Sequence, residues 1–336
     1  MANQDIKSMS LCEIESALAD FPKYRAKQVF ERLRQGVVSF DEMTNIPKNL
    51  REFLSERYMI TYVTAEKRFD SKLDETKKYL YRLHDDEFIE SVFMKYKHGY
   101  TICISTQVGC RMGCEFCASG KDGMIRNLTP GEMLAQIEYA ARDNDVRISN
   151  VVLMGMGEPL DNYYNVVRFL ELTDIGLRHI SLSTCGVVSG IKKLRDSGLP
   201  VTLSISLHAP NDEIRNKMMP INKKWGVEEL IKTCRKYVDK TGRRISFEYA
   251  LIKGVNDSNE CAKELAERLK GMICHLNIIP VNNIEETYFD KPNTAKTAEF
   301  AAIMNKLGIN TTVRRTLGAD IDASCGQLRK RRDDCQ

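Results

Sequence analysis

The chain has 336 residues, 43% of them hydrophobic and 29% charged, the balance of an ordinary globular protein with room for one large core and a small additional domain. Its 50 basic and 46 acidic residues leave a net charge of +4, so composition alone does not announce a nucleic-acid partner. No apolar run approaches the roughly 20 residues that span a bilayer, and the N-terminus MANQDIKSMSLCEIESALADF lacks a basic stretch followed by an apolar one, which argues against a membrane role and predicts a cytoplasmic location.

Residues 1–60 carry apolar residues at helical spacing over Leu11–Leu18, Arg25–Gly36 and Lys48–Arg57, divided by Pro22, Gly36 and Pro47. They predict a small helical N-terminal domain. Over 61–99 the pattern alternates: Lys78–Leu83 and Phe88–Met94 predict a short antiparallel strand extension around an Asp85-Asp86 turn. Over 100–315 short apolar runs alternate with amphipathic stretches. Strands are predicted at Thr101–Ser105, Asn150–Met154, His179–Thr184, Pro200–Ser206, Ile245–Leu251 and His275–Pro280, with helices such as Pro130–Arg142, Val227–Asp239 and Cys261–Lys270 between them. Asn310–Arg314 is a candidate for a further strand. The rhythm predicts an α/β fold, a partial (β/α)6 barrel of parallel strands. Residues 316–336 form a C-terminal segment.

In β/α barrels the chemistry gathers where strands run into loops. The unusual residues fall there: Cys110-Arg-Met-Gly-Cys114-Glu-Phe-Cys117, Gly155-Met-Gly157-Glu158-Pro159, Ser183-Thr-Cys185-Gly186, Ser206-Leu207-His208, Gly254–Asp257 and Pro280-Val-Asn282-Asn283. Together they point to one shared pocket. Eleven cysteines, an odd number at irregular spacing, indicate reduced thiols with a subset in metal or redox chemistry. Cys110, Cys114 and Cys117 stand apart. Thiolates bind soft metals, and Gly109 and Gly113 allow the tight path of a loop that wraps a metal group. A structural zinc would want four ligands in pairs. Three on one loop, with no local fourth, fit an iron–sulfur cluster with one iron open to a small molecule; a zinc site with a distant fourth ligand is the alternative. Cys185, Cys234, Cys261 and Cys274 read as small buried apolar residues, Cys12 and Cys335 as peripheral. The basic groups Lys95–His98, Lys223-Lys224, Arg243-Arg244, Arg314-Arg315 and Arg329–Arg332 read as solvated surface.

Cys110-x-x-x-Cys114-x-x-Cys117, with Phe116 before the last cysteine, resembles the signature of the radical S-adenosylmethionine (SAM) superfamily. The resemblance implies a radical SAM barrel, one 4Fe–4S cluster on those three cysteines, and SAM chelated by the open iron. Reduction then cleaves SAM to methionine and a 5′-deoxyadenosyl radical. Gly157-Glu158 resembles the segment that holds the SAM amino group, a carboxylate being a charge-assisted acceptor for an ammonium. By the same matching Ser183, Ser206, Leu207, His208 and Asn282 would line the SAM pocket.

Gly318-Ala-Asp-Ile-Asp-Ala-Ser-Cys325-Gly-Gln-Leu with its basic tail, and Cys103 ahead of the cluster loop, narrow the resemblance. Over nearly the whole chain it is to the dual-specificity RNA adenine-2 methyltransferases (the RlmN family) and their relatives, the adenine-8 methyltransferases (the Cfr type). It implies methylation of carbon 2 of adenosine 2503 in 23S rRNA and of adenosine 37 in tRNA, with two SAM molecules used in turn. That carbon is too electron-poor to attack a methyl donor, but a radical adds to it. In the implied sequence Cys325 takes a methyl group and loses a hydrogen atom from it to the deoxyadenosyl radical. The methylene radical adds to adenine, the ring proton leaves, and Cys103 attacks the Cys325 sulfur. A Cys103–Cys325 disulfide results, which an external reductant reopens. Glu90 matches the family's proton acceptor; Cys103 is the alternative base. The resemblance further implies a flavodoxin- or ferredoxin-like electron donor, extrusion of the base from RNA, RNA contacts from the helical N-terminal domain and basic clusters, and a monomer. The Arg314-Arg315-Thr and Gly318–Ser324 contexts resemble the adenine-2 group. A zinc-containing RNA-binding protein without radical chemistry is the reading from another class.

Overall fold

The computed structural model describes residues 4–281 and 289–328, so Asn282 and the basic tail Arg329–Arg332 lie outside the described residues. Among the described residues, buried apolar side chains form two cores. The first runs from Ile6 to Ile60. Here β1 (Gln4–Asp5) and β2 (Tyr58–Met59) pair in parallel and bracket α1 (Leu11–Ala17), α2 (Tyr24–Arg34) and α3 (Lys48–Arg57). A capping box between Ser10 and Glu13 starts α1. Val29 and Leu33 of α2 meet Leu50 and Leu54 of α3 in this core, each pair one helical turn apart. The unit is fastened to the rest of the chain by polar contacts. Lys7, 1% exposed, reaches Glu138 at 2.5 Å, Arg142 donates to the Gly36 carbonyl at 3.0 Å, and Arg168 pairs with Glu13.

The second core surrounds a ten-stranded sheet. Its antiparallel part is β3 (Thr64–Asp70), β4 (Lys77–Arg82), β5 (Phe88–Tyr96) and β6 (Gly99–Cys103). A separate hairpin follows, β7 (Gln107–Gly109) with β8 (Met124–Asn127). The chain then alternates through α4 (Pro130–Asp143), β9 (Ile148–Leu153), α5 (Tyr163–Leu172), β10 (Ile180–Thr184), α6 (Val188–Ser197), β11 (Thr202–Ser206), α7 (Asp212–Met218), α8 (Val227–Thr241), β12 (Ile245–Leu251), α9 (Asn259–Leu269), β13 (Cys274–Pro280), α10 (Thr294–Lys306) and β14 (Thr311–Val313). The sheet order is β14-β13-β12-β11-β10-β9-β6-β5-β4-β3. From β6 through β9 to β14 the pairings are parallel, and β14 is the strand that the Asn310–Arg314 run left as a candidate.

The antiparallel strands continue the barrel sheet. β6 belongs to both parts, pairing Cys103 with Val92 on one side and with Val152 on the other. β3, with the sequence TAEKRFD, has no apolar alternation to announce it, and β7 and β8 are too short for a period to register. Along β10, Ile180, Leu182 and Thr184 are buried, while Ser181 and Ser183 turn to the inside of the barrel. The inside is therefore an open cleft in which such polar side chains stand among apolar ones, and the packed core lies between sheet and helices. No helix among the described residues is long and apolar enough to cross a membrane.

Candidate active site

The β7–β8 hairpin carries the cysteine loop. The Cys110 N–H donates to the Gly123 carbonyl at 2.9 Å and the Cys117 N–H to the Cys114 carbonyl at 3.1 Å. Gly109 has φ +74°, and a Cβ there would lie 2.0 Å from the Gly123 oxygen, so the hairpin closes only on glycine. Cys110, Cys114 and Cys117 all face one cleft of about 940 Å³ at the carboxyl ends of the parallel strands. Burial pushes all three thiols up, Cys110 to about 12, and proximity to one another adds to it for Cys110 and Cys114. A metal that displaces the thiol protons relieves that repulsion. The described residues hold no group of three side chains fit for a single metal ion. Three soft donors spread around a cleft suit a cluster better than zinc.

Gly157, Glu158, Ser183, Ser206 and His208 stand in the wall of the same cleft. A Cβ on Gly157, at φ +101°, would lie 2.6 Å from the Gln107 Cβ. Glu158 is 3% exposed; its two carboxylate oxygens accept from the backbone N–H groups of Cys185 at 2.7 Å and Leu160 at 2.9 Å. Burial raises its carboxyl and those N–H groups oppose the rise. The Cys185 and Thr184 side chains also hydrogen-bond to it. Leu207 is fully buried outside the wall and takes part through its carbonyl, which accepts from Arg215 Nε at 3.0 Å. His208 has φ 58°, accepts the Ala250 N–H on Nδ1 at 2.8 Å and meets the Phe116 ring edge to face at 4.8 Å. Burial, and then the Arg215 charge, push its imidazole down to about 3, so it is neutral in the physiological range.

A second cavity of about 560 Å³ opens beside the cleft and shares Met154, Ile279, Arg314 and Cys325 with it. Cys103 and Cys325 both line this cavity. Cys103 arrives on β6. Cys325 is held by the C-terminal segment, which is tied down at both ends. The Ala118 N–H donates to the Gly326 carbonyl at 2.7 Å and Ser119 Oγ to the Leu328 carbonyl at 2.6 Å, beside the cysteine loop. At the other end the Gly318 N–H donates to Asp74 at 3.0 Å and Ser71 Oγ to Asp320 at 2.7 Å. Burial and the nearby Cys325 thiol push Cys103 up to about 12, against the opposing pull of Arg314. Glu90, 4% exposed, lies outside the wall of either cavity. It shares a strand face with Val92 and Met94, which line the second one, and pairs with Lys78 Nζ at 3.2 Å.

Several site residues differ from their sequence reading. Arg314, expected at a solvated surface, turns inward from the end of β14, lines both cavities and approaches Met154 Sδ at 3.9 Å. The Cys325 thiol is the chief neighbour that favours its charge, with Glu248, Tyr96 and Cys103 behind it. Its place at a strand end is the signal that marked the other wall residues. Glu248, the charge inside the apolar strand ISFEYAL, lines the cleft and accepts from Asn277 Nδ2 at 2.7 Å. Cys185 is buried in the core as expected and also borders the cleft, whereas Cys274 is only half-buried.

The model of the radical SAM superfamily matches residues 104–269, and that of the ribosomal RNA large subunit methyltransferase N-terminal domain matches residues 17–60. A probable dual-specificity RNA methyltransferase RlmN of Alkaliphilus oremlandii is 53% identical over 339 residues, 98% of this chain and 99% of that protein. A protein of the same description from Clostridium novyi is 53% identical over 92% of each chain. The crystal structure of a radical SAM methyltransferase from Sphaerobacter thermophilus superposes with a TM-score of 0.94 at 43% identity, covering 98% of this chain and 100% of that one. With this cleft and these likenesses along its whole length, the chain belongs to the RlmN family of dual-specificity RNA methyltransferases, within the radical SAM superfamily.

Proposed function

We propose that this enzyme methylates carbon 2 of adenosine 2503 in 23S rRNA and of adenosine 37 in tRNA, with Cys110, Cys114 and Cys117 holding the 4Fe–4S cluster and Cys325 carrying the methyl group. The observation that carries this reading is the cavity shared by Cys103 and Cys325 and open to the cleft of the three cysteines. When bound, the cluster and SAM supply the one-electron cleavage that yields a 5′-deoxyadenosyl radical. Gly157, Glu158, Ser183, Ser206 and His208 line the SAM pocket, and the family match assigns Leu207 and Asn282 to it as well. Within it the Glu158 carboxylate accepts the ammonium and His208, neutral, adds no charge beside the sulfonium. Cys325 receives the methyl group, loses a hydrogen atom from it, and its methylene carbon bonds to the adenine. Glu90 takes the ring proton. It pairs with Lys78 at 3.2 Å, whereas a Cys103 thiol pushed up to about 12 is protonated at rest and a poor base. Cys103 then bonds to the Cys325 sulfur as the sulfur–carbon bond breaks, and the released methylene carbon takes a proton to become the methyl group. The one unpaired electron returns to the bound cluster, and a reductant reopens the disulfide.

The helical N-terminal unit and exposed basic residues such as Lys223 and Lys224 supply phosphate contacts. The protein works as a cytoplasmic monomer and draws electrons from a flavodoxin- or ferredoxin-like donor. The test is anaerobic reconstitution followed by nucleoside mass spectrometry of a treated RNA. About four irons and four sulfides per chain and 2-methyladenosine are expected. Zinc in their place overturns the cluster, and 8-methyladenosine overturns the choice of carbon.

A further inference from the structure

Arg215 is the largest fully buried side chain among the described residues, at 0% exposure. A lone buried cation is costly unless something nearby carries the opposite charge. Its hydrogen bonds do not supply that charge. Nε donates to the Leu207 carbonyl at 3.0 Å, Nη1 to Asn222 Oδ1 at 2.9 Å, and Nη2 to the carbonyls of Cys185 at 2.6 Å and Ser206 at 3.2 Å. Among the described residues none of these partners is a carboxylate. Asp212 stands one step removed, accepting from Asn222 Nδ2 at 2.9 Å, and is exposed to solvent. Burial lowers the pKa of the guanidinium; the groups that favour its charge are, in order, the Cys185 and Cys114 thiols and then Asp212. Cys114 is one of the three cysteines of the loop, and the Glu115 N–H beside it donates to the carbonyl of Met218, at the end of the helix that carries Arg215.

The geometry points to Arg215 as the counter-charge of the iron–sulfur cluster, a positioning residue that acts through Cys114 and raises the potential at which the cluster accepts an electron. The inference rests on the reading that Cys110, Cys114 and Cys117 hold the cluster. A cluster ligated by three thiolates is net negative and becomes more so on reduction, so a fixed cation stabilises the reduced form more than the oxidised one. Burial keeps solvent from screening the effect. The same guanidinium ties the ends of β10 and β11 together through the Cys185 and Ser206 carbonyls, and a purely structural clamp is the competing role.

The experiment is a redox titration followed by electron paramagnetic resonance on the anaerobically reconstituted full-length protein, with iron counted per chain. At a fixed ambient potential R215Q is expected to lower the reduced-to-oxidised ratio about tenfold, equivalent to ~59 mV for a one-electron couple. R215K, which keeps the charge and loses the fork of hydrogen bonds, is expected to stay within about twofold of the wild type. D212N, which removes the neighbouring negative charge at a solvent-exposed position, is expected to shift the ratio about twofold the other way. Equal shifts in R215Q and R215K, or no shift in either, overturn the inference in favour of the clamp. If R215Q fails to take up iron, R215K and D212N decide, and a D212N potential at or below that of the wild type overturns it. A wild-type chain that takes up no iron refutes the cluster reading itself, a result distinct from all of these.

Discussion

The two halves of the active cleft are built in opposite ways. On the proposed reading the radical-generating half is local: Cys110, Cys114 and Cys117 share one loop, braced by backbone bonds within the β7–β8 hairpin. The half proposed to carry the methyl group is assembled from β5, β6, the end of β14 and the C-terminal segment, and hydrogen bonds involving the Ser119, Asp74 and Asp320 side chains hold it together. A local site depends on its own turn and metal, and an assembled one depends on the whole fold. Substitutions in the two halves should therefore fail in different ways.

The largest effect is expected from Cys110→Ala, Cys114→Ala or Cys117→Ala. Each removes a cluster ligand, so iron per chain should fall towards zero and methylation by at least about a thousand-fold. The transfer of a methyl group to Cys325 is lost only as far as SAM binding is lost. Iron that stays bound in all three variants would detach the loop from the cluster.

The other half should split into two phenotypes. Cys325→Ala leaves no methyl acceptor, so mass spectrometry of the protein should find no S-methylcysteine and turnover should fall by at least about a thousand-fold. Cys103→Ala keeps the acceptor and loses the release step, so a covalent RNA–protein adduct should accumulate. Both variants should bind iron as the wild type does. Identical behaviour of the two variants would mean that the shared cavity does not serve two separate steps.

The contrast between the halves also governs how much the sequence discloses. A contiguous motif such as the cysteine loop is written in one dimension, and the alternation of strands and helices that builds the barrel is nearly so. Arg314 and Lys78 are different. Arg314 reads as half of a basic surface pair until β14 is placed at the end of the sheet, and Lys78 reads as one of two adjacent lysines until the register of β4 against β5 sets it beside Glu90. Arg215 sits in a short polar helix, DEIRNKM, whose pattern gives no hint of burial. Register and burial are properties of the assembled sheet, so spacing along the chain does not reach them.

A smaller effect should come from loosening the assembled half without touching its cysteines. Asp74→Ala removes the acceptor for the Gly318 N–H. A hydrogen bond to a charged group is worth about 1.5–3 kcal/mol, so methyl transfer to Cys325 should slow by about tenfold or more. The spectrum of the reduced cluster should not change. A parallel loss of iron in Asp74→Ala would erase the distinction between the two halves.

The smallest effect belongs to His208, on the radical-generating side, and it appears in stability against pH. Its imidazole titrates near 3 in the folded chain, against 6.5 in the unfolded one. Between those values the unfolded state binds a proton that the folded state refuses, so stability falls as the pH drops below 6.5 and the decline from this group ends near 3. The slope approaches about 1.4 kcal/mol per pH unit at most. The hydrogen bond explains the refusal: Nδ1 already accepts the Ala250 N–H, and a proton there would set donor against donor. In His208→Gln the amide oxygen can still accept that N–H, and the group no longer titrates. The difference between wild-type and variant unfolding free energies, from urea titrations at about pH 7, 6 and 5, isolates His208 from the buried carboxyls of Glu158 and Glu248, which titrate in both proteins. That difference should change steadily against the wild type as acid is added. A constant difference would mean that His208 takes up its proton as readily inside the fold as in the unfolded chain, and the SAM pocket would then gain a positive charge as the pH falls below about 6.5.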